Sequence, residues 1–193
     1  MNKRQTVIFG GSFDPVHIGH VALAKEVLRC GLAAEVWFMV SPHNPHKSSS
    51  GLSDEALRLQ MVQLALEGED GLVACDFEFF LPRPSYTVNT LAELMKRYPD
   101  REFSLLIGAD NWEKFDRWYK GDEILSRHRV IVYPRGSGDV PLLPDGVVWL
   151  PAELYDVSST KVRESVASAA SIDALVAPEV RDFIMKNGLY KKV

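Results

Sequence analysis

A doubly wound α/β fold built on a mostly parallel sheet is predicted by three features of this 193-residue sequence. Short, β-branched apolar runs alternate with segments whose apolar residues recur at helical spacing, the pattern of strands covered by helices on both faces. Loops rich in glycine, proline and polar residues follow the predicted strands at their carboxyl ends, where such sheets bind ligands. The composition, 46% hydrophobic and 25% charged, suits one well-filled core, so residues 1–193 are read as a single domain.

The elements follow in order. Residues 6–9 form a buried strand that opens at Gly10-Gly11, and Ile18, Val21, Ala22, Ala24, Lys25 and Leu28 carry helical spacing up to a terminator at Gly31. A second strand spans 36–40, and the Pro, His and Ser content of 41–51 marks a loop. Ser53-Asp54-Glu55 is a helix start, continued by Leu57, Met61, Leu64 and Ala65. Strands are predicted at 72–75 and 77–81. Thr90 and Glu93 have capping-box spacing, with Thr87 as the alternative helix start and Tyr98-Pro99 as its end. Residues 103–107 form a buried strand running into Gly108-Ala109-Asp110-Asn111, followed by an aromatic helical stretch with Trp112, Phe115 and Trp118. Further strands at 128–133 and 147–150 flank a Gly/Pro loop, and two helices follow, one from about Thr160 and one from Pro178 to Asn187-Gly188. The loops at 10–20, 41–47, 108–111 and 134–135 all follow strands, so the topology gathers them on one sheet edge.

Composition excludes several classes. A formal charge of -4 argues against nucleic-acid binding, which needs clustered Lys and Arg, and requires any anionic ligand to find a locally positive pocket. Cys30 and Cys75 lie in apolar surroundings without metal-site spacing and read as reduced core residues. The apolar run behind Lys3 and Arg4 is too short for a signal segment and no stretch reaches membrane-spanning length, which makes the cytoplasm the default location and excludes a membrane partner.

Two motifs carry chemistry. Gly10-Gly11-Ser12-Phe13-Asp14-Pro15-Val16-His17-Ile18-Gly19-His20 joins the first strand to the first helix. Glycines there admit an anion close to backbone N–H groups, and the helix start adds partial positive charge. His17 and His20, three apart, share one face of the first turn and can donate to phosphate oxygens that gain charge during transfer. An isolated His-x-x-His would be better read as two solvent histidines, but strand, glycines and helix are in register here. The second motif, Val157-Ser158-Ser159-Thr160-Lys161-Val162-Arg163-Glu164, offers hydroxyls at a helix start and a planar guanidinium one turn on. Ordinary N-capping would explain the serines alone.

Together the motifs resemble the His-x-Gly-His nucleotidyltransferase superfamily, which pairs that signature with a Ser-Ser-Thr-x-x-Arg element. Within it the chain resembles the bacterial nicotinate-nucleotide adenylyltransferases through Pro42-His43-Asn44-Pro45-His46-Lys47, Arg83-Pro84-Ser85-Tyr86-Thr87 with Thr90-Leu91, and Ile107-Gly108-Ala109-Asp110-Asn111 with Phe115 and Trp118. The likeness covers nearly the whole chain and implies a Rossmann-like nucleotidyltransferase fold. It implies that Gly10, Gly11, Ser12, Phe13, His17, His20, Gly108, Asp110, Ser158, Ser159, Thr160 and Arg163 hold ATP. For Asp110, a role on ribose hydroxyls competes evenly with a helix N-cap. Trp118 is expected to stack on a nicotinate ring whose carboxylate meets backbone amides near Thr87 and Tyr119. Asn44, Tyr86 and Arg135 join that side, and Lys47 reaches the reacting phosphates. Trp112, Phe115 and Trp118 have the spacing of a core stripe, a reading that suits Phe115 and not Trp118, which Arg117 and Tyr119 flank.

The resemblance implies adenylyl transfer from ATP to nicotinate mononucleotide, giving deamido-NAD and pyrophosphate in NAD biosynthesis. His17, His20, Lys47 and Arg163 would be catalytic, Mg2+ would travel with ATP without an assigned protein ligand, and a homo-oligomer is compatible. Alternatives are nicotinamide mononucleotide or phosphopantetheine as acceptor, a cytidylyltransferase, an aminoacyl-tRNA synthetase fragment with its literal His-Ile-Gly-His, and a non-catalytic nucleotide-binding module.

Overall fold

The computed structural model describes residues 3–42, 52–134, 143–153 and 155–191. Six parallel strands lie in the order β3-β2-β1-β4-β5-β6. They are β1 (Arg4–Gly11), β2 (Glu35–Val40), β3 (Leu72–Cys75), β4 (Arg101–Gly108), β5 (Val130–Tyr133) and β6 (Val147–Trp149). The order reverses between β1 and β4, which pair from Arg4 with Arg101 to Phe9 with Leu106 and open a crevice beyond their carboxyl ends.

Alternation along the strands divides the core in two. Val7 and Phe9 of β1, with Val36, Phe38 and Val40 of β2, face one side. There they meet α1 (Ile18–Arg29), α2 (Glu55–Ala65), α6 (Ser159–Ala167) and α7 (Pro178–Asn187) through Leu23, Val27, Met61, Val62, Val162, Val166, Val180 and Ile184. Ile8, Trp37 and Met39 face the other side, under α3 (Thr87–Arg97) and α5 (Gly121–Arg127), where Leu91, Leu94 and Ile124 are buried. Residues 7–9 of β1, 36–40 of β2 and 105–107 of β4 are thus apolar on both faces, as a doubly covered parallel sheet requires.

Three expectations are corrected, and one choice between two helix starts is decided. Residues Phe77–Phe80 form a 3-10 turn instead of a strand. There Glu78 turns inward to accept from the Thr90 hydroxyl at 2.9 Å while Phe80 is 79% exposed, so burial runs opposite to apolar alternation. Helix α3 begins at Thr87, with Thr90 inside it and occupied by Glu78 rather than by capping. The aromatic stretch divides into α4 (Ala109–Trp112) and a 3-10 turn at Phe115–Arg117, because Phe115 is drawn into the core while Trp112 and Trp118 pack on its ring at 5.3 and 5.0 Å. Cys75 is buried, but Cys30 is exposed at the end of α1 with its thiol against Glu26.

A buried cation that the sequence did not advertise holds the strand-to-loop junctions together. Arg58 of α2 is 1% exposed. Its Nε donates to the Ser53 carbonyl at 2.9 Å, Nη1 to the carbonyls of Ser12 at 2.6 Å and Ser41 at 2.9 Å, and Nη2 to that of Pro42 at 3.2 Å. Burial pushes its pKa down while Asp14 and Glu55 push it up. Replacing Arg58 with Met keeps the bulk and strands these carbonyls, so we expect a stability loss of about 3–5 kcal/mol in urea unfolding. A loss below about 1 kcal/mol would show that water satisfies the carbonyls equally well.

Candidate active site

A cavity of about 1100 Å³ occupies the crevice at the β1/β4 switch point. Every candidate residue named from sequence lines it except Asn44, Lys47 and Arg135, which lie outside the described residues. The convergence expected of the strand-end loops therefore holds wherever the chain is described.

The two histidines sit at the start of α1. His17 is its N-cap in extended conformation and His20 is three residues on. The rings stack with centroids 3.6 Å apart, and the His17 backbone N–H donates to Nδ1 of His20 at 3.2 Å. With Nδ1 accepting, a neutral His20 carries its proton on Nε2, which makes that nitrogen a donor. The His20 ring also meets the edges of Phe9 at 5.8 Å and Phe13 at 5.1 Å, so its orientation is set by packing.

Glycines in this loop serve different ends. A Cβ on Gly11 would come within 3.0 Å of the Phe13 ring, and one on Gly19 within 3.0 Å of Val157 and 3.2 Å of His17, so both are demanded by the fold. A Cβ on Gly10 would meet nothing within 4 Å; it would project into open space at the cavity. Phe13, expected on the ligand, has its ring 2% exposed in the core and a φ of 46°, so only its backbone remains for binding.

The second motif is tied to the first by named bonds. Ser158 caps α6, its hydroxyl accepting from Lys161 N–H at 3.1 Å, as the plain capping reading requires. Ser159 Oγ donates to the Pro15 carbonyl at 2.8 Å, and Arg163 Nη1 donates to the Asp14 carbonyl at 2.7 Å. Arg163 Nη2 lies 3.2 Å from Thr160 Oγ1, which fixes the plane of the guanidinium while leaving it further N–H groups. These serines are structural ties first, and their contribution to a ligand comes through the α6 N-terminus they hold in place.

Across the cavity, Trp118 stacks on Phe115 with planes 29° apart, and Tyr119, 51% exposed, pairs with Tyr86 at 4.7 Å. Thr87 opens α3, so its backbone N–H is one of the donors a helix start leaves without an intrahelical partner. Asp110 lies in the first turn of α4, whose N-cap is Gly108, so the capping reading of Asp110 falls away. Sequence reasoning passed over Lys114, which lines this side as a second cation beside Arg117, and Glu78, a buried acid at the cavity wall. Neither belongs to a motif, so only the fold reveals it. Among the described residues no group of three or more His, Cys, Asp or Glu side chains could hold a metal ion, and no helix is long and apolar enough to cross a membrane.

Comparison with known proteins follows the same line. Residues 8–165 match the cytidylyltransferase-like family model. The chain is 48% identical over 182 residues to a "probable nicotinate-nucleotide adenylyltransferase" of Bacteroides fragilis, spanning 93% of this chain and 90% of the relative. It is 35% identical over 184 residues to the nicotinate-nucleotide adenylyltransferase of Bacillus subtilis, spanning 95% and 97%. Among solved structures, the Plasmodium falciparum nicotinic acid mononucleotide adenylyltransferase complexed with NaAD superposes with a TM-score of 0.77 at 19% identity over 97% of each chain. That likeness shows the Rossmann-like nucleotidyltransferase fold.

Two predictions follow from this geometry. Gly10→Ala should leave unfolding stability within about 0.5–1 kcal/mol of wild type, since the methyl meets no protein atom. Its affinity for a nucleoside triphosphate should fall by about tenfold or more, the backbone approach being blocked. Equal affinity in calorimetry would mean that nothing binds close to this strand end. For Glu78, burial pushes the carboxyl above its ordinary 4.5, against hydrogen bonds from Thr90, Ser41 and Ser85 that lower it. The native state then holds this proton after the unfolded chain has lost it, so stability falls as pH rises from 4.5 through the raised native value and is flat beyond. Glu78→Gln should flatten that slope in urea midpoints measured across the window, and an unchanged slope would assign it to other groups.

Proposed function

We propose that this chain, which belongs to the cytidylyltransferase-like family and within it to the nicotinate-nucleotide adenylyltransferases, joins ATP to nicotinate mononucleotide in NAD biosynthesis. An oxygen of the mononucleotide phosphate attacks the α-phosphorus of ATP, the bond from that phosphorus to the β-phosphate bridging oxygen breaks, and pyrophosphate leaves with the electron pair. The product is deamido-NAD. No side-chain nucleophile is needed, because the acceptor phosphate is already anionic; the protein aligns two substrates and stabilises developing charge.

The observation that carries this reading is the joining of the two motifs. Arg163 bonds to the Asp14 carbonyl, and the stacked His17 and His20 line the same cavity. Donors thereby converge from the starts of two helices on one space, as a triphosphate requires. His17, His20, Lys47 and Arg163 act on the reacting phosphates, and magnesium arrives as part of the MgATP substrate. Gly10, Gly11, Ser12, the Phe13 backbone, Gly108 and Asp110 contact ATP along the strand ends, with Ser158, Ser159 and Thr160 opposite. Trp118 stacks on the pyridine ring, and backbone N–H groups near Thr87 and Tyr119 donate to its carboxylate, with Asn44, Tyr86 and Arg135 on the acceptor side. Backbone N–H donors match a carboxylate and leave an amide NH2 facing another donor, which favours the acid over the amide. A reaction among soluble nucleotides fits the cytoplasm.

Purified protein with MgATP should release pyrophosphate fastest with nicotinate mononucleotide, more slowly with the amide, and not with phosphopantetheine; a preference for either rival acceptor would reassign the substrate. His20→Ala should lower kcat by about 100- to 1000-fold, the loss of a transition-state donor. The same variant should forfeit only about 1–2 kcal/mol of stability for its contacts with Phe9 and Phe13. If activity falls merely in proportion to folded protein, the histidine is structural.

A further inference from the structure

Asp14 stands in the middle of the strand-to-helix motif, yet its carboxylate has no place in the transfer chemistry. The side chain is 1% exposed and does not line the cavity. One carboxylate oxygen accepts from the Tyr190 hydroxyl at 2.6 Å and the other from the Ser53 backbone N–H at 3.2 Å. The backbone carbonyl of the same residue takes Arg163 at 2.7 Å, and the next carbonyl, Pro15, takes Ser159 at 2.8 Å. A dipeptide held from behind by residue 190 thus supplies, at its front, the acceptors that orient α6.

Tyr190 reaches Asp14 through a costly turn. Helix α7 ends at Gly188 with φ 61°, and Leu189 N–H caps back to Ile184 at 3.1 Å. Tyr190 itself then adopts φ 61°. A left-handed tyrosine is uncommon and persists where its surroundings demand it. Burial pushes the phenol pKa far up, and the hydrogen bond to Asp14 pushes the same way, so the group remains a donor. Arg58 interacts electrostatically with both members of this pair, and Arg163 with Tyr190.

We propose that Tyr190 is a positioning residue for adenylyl transfer: by fixing the Asp14 carboxylate, its hydroxyl sets the neighbouring carbonyl that aims the Arg163 guanidinium at the triphosphate. The assignment rests on the reading above that Arg163 acts on ATP. Removing the hydroxyl leaves a buried carboxylate short of a donor, and the Asp14-Pro15 backbone shifts to find another. Arg163 follows its carbonyl, whereas Trp118, Thr87 and Tyr119 lie across the cavity on other elements and are untouched.

The test is Tyr190→Phe, which deletes one oxygen atom, made in the wild-type chain and in Arg163→Lys. In the wild-type background we expect kcat/KM for MgATP to fall about tenfold, the scale of a small misalignment at a reacting centre, with KM for nicotinate mononucleotide unchanged. In the Arg163→Lys background the same change should cost less than about twofold, because the group it positions is already gone. An equal loss in both backgrounds, a parallel rise in both KM values, or no change in kcat/KM for MgATP overturns the assignment. Wild-type protein that releases no pyrophosphate with either pyridine mononucleotide instead overturns the adenylyl-transfer reading and takes this proposal with it.

Discussion

The structure turns on the union of two segments that are 149 residues apart, where the Arg163 guanidinium meets the Asp14 carbonyl. Ser159 on the Pro15 carbonyl and Val157 against Gly19 complete the joint. Without it, the His17 loop would be a glycine turn and the 158–163 segment an ordinary capped helix. With it, two helix starts share one cavity, and their partial positive charges and N–H groups add instead of acting apart.

That joint also answers the electrostatic difficulty of a chain with net charge -4 for which a triphosphate substrate is proposed. The positive potential is local: it comes from the backbone N–H groups of two helix starts and from Arg163, while acids such as Glu26, Glu93 and Asp173 pair with surface cations. Inside the scaffold, Arg58 spends its charge on carbonyl groups and Asp14 on a phenol and an amide. Arg58 and Asp14 are thus both engaged by dipoles held in fixed geometry, which rigidifies the loops at the cavity.

Much of this was legible in the residues. Apolar runs marked all six strands, and the positions of glycines after 6–9 and 103–107 marked the edge where the cavity lies. The reading failed where a polar side chain overrode local pattern. Phe77 to Phe80 carries aromatic β-formers, but burial of Glu78 against Thr90 bends it into a 3-10 turn. Likewise Cys30 looked apolar by its neighbours and is exposed, because its place at the end of α1 turns it outward.

By itself, the sequence determined the periodicities and motif chemistry: where the six apolar strand runs fall, where glycine leaves room for an anion, and which side chains are able to donate to phosphate. These are local properties, set by residues within a turn or two of each other. Only the tertiary structure decided which donors are already committed. Ser159 is engaged in a tie to Pro15, and Phe13 buries its ring in the core. Arg58, Asp14 and Tyr190 acquire meaning only there too, since a buried charge is defined by partners drawn from distant parts of the chain, and no spacing along the sequence encodes that proximity.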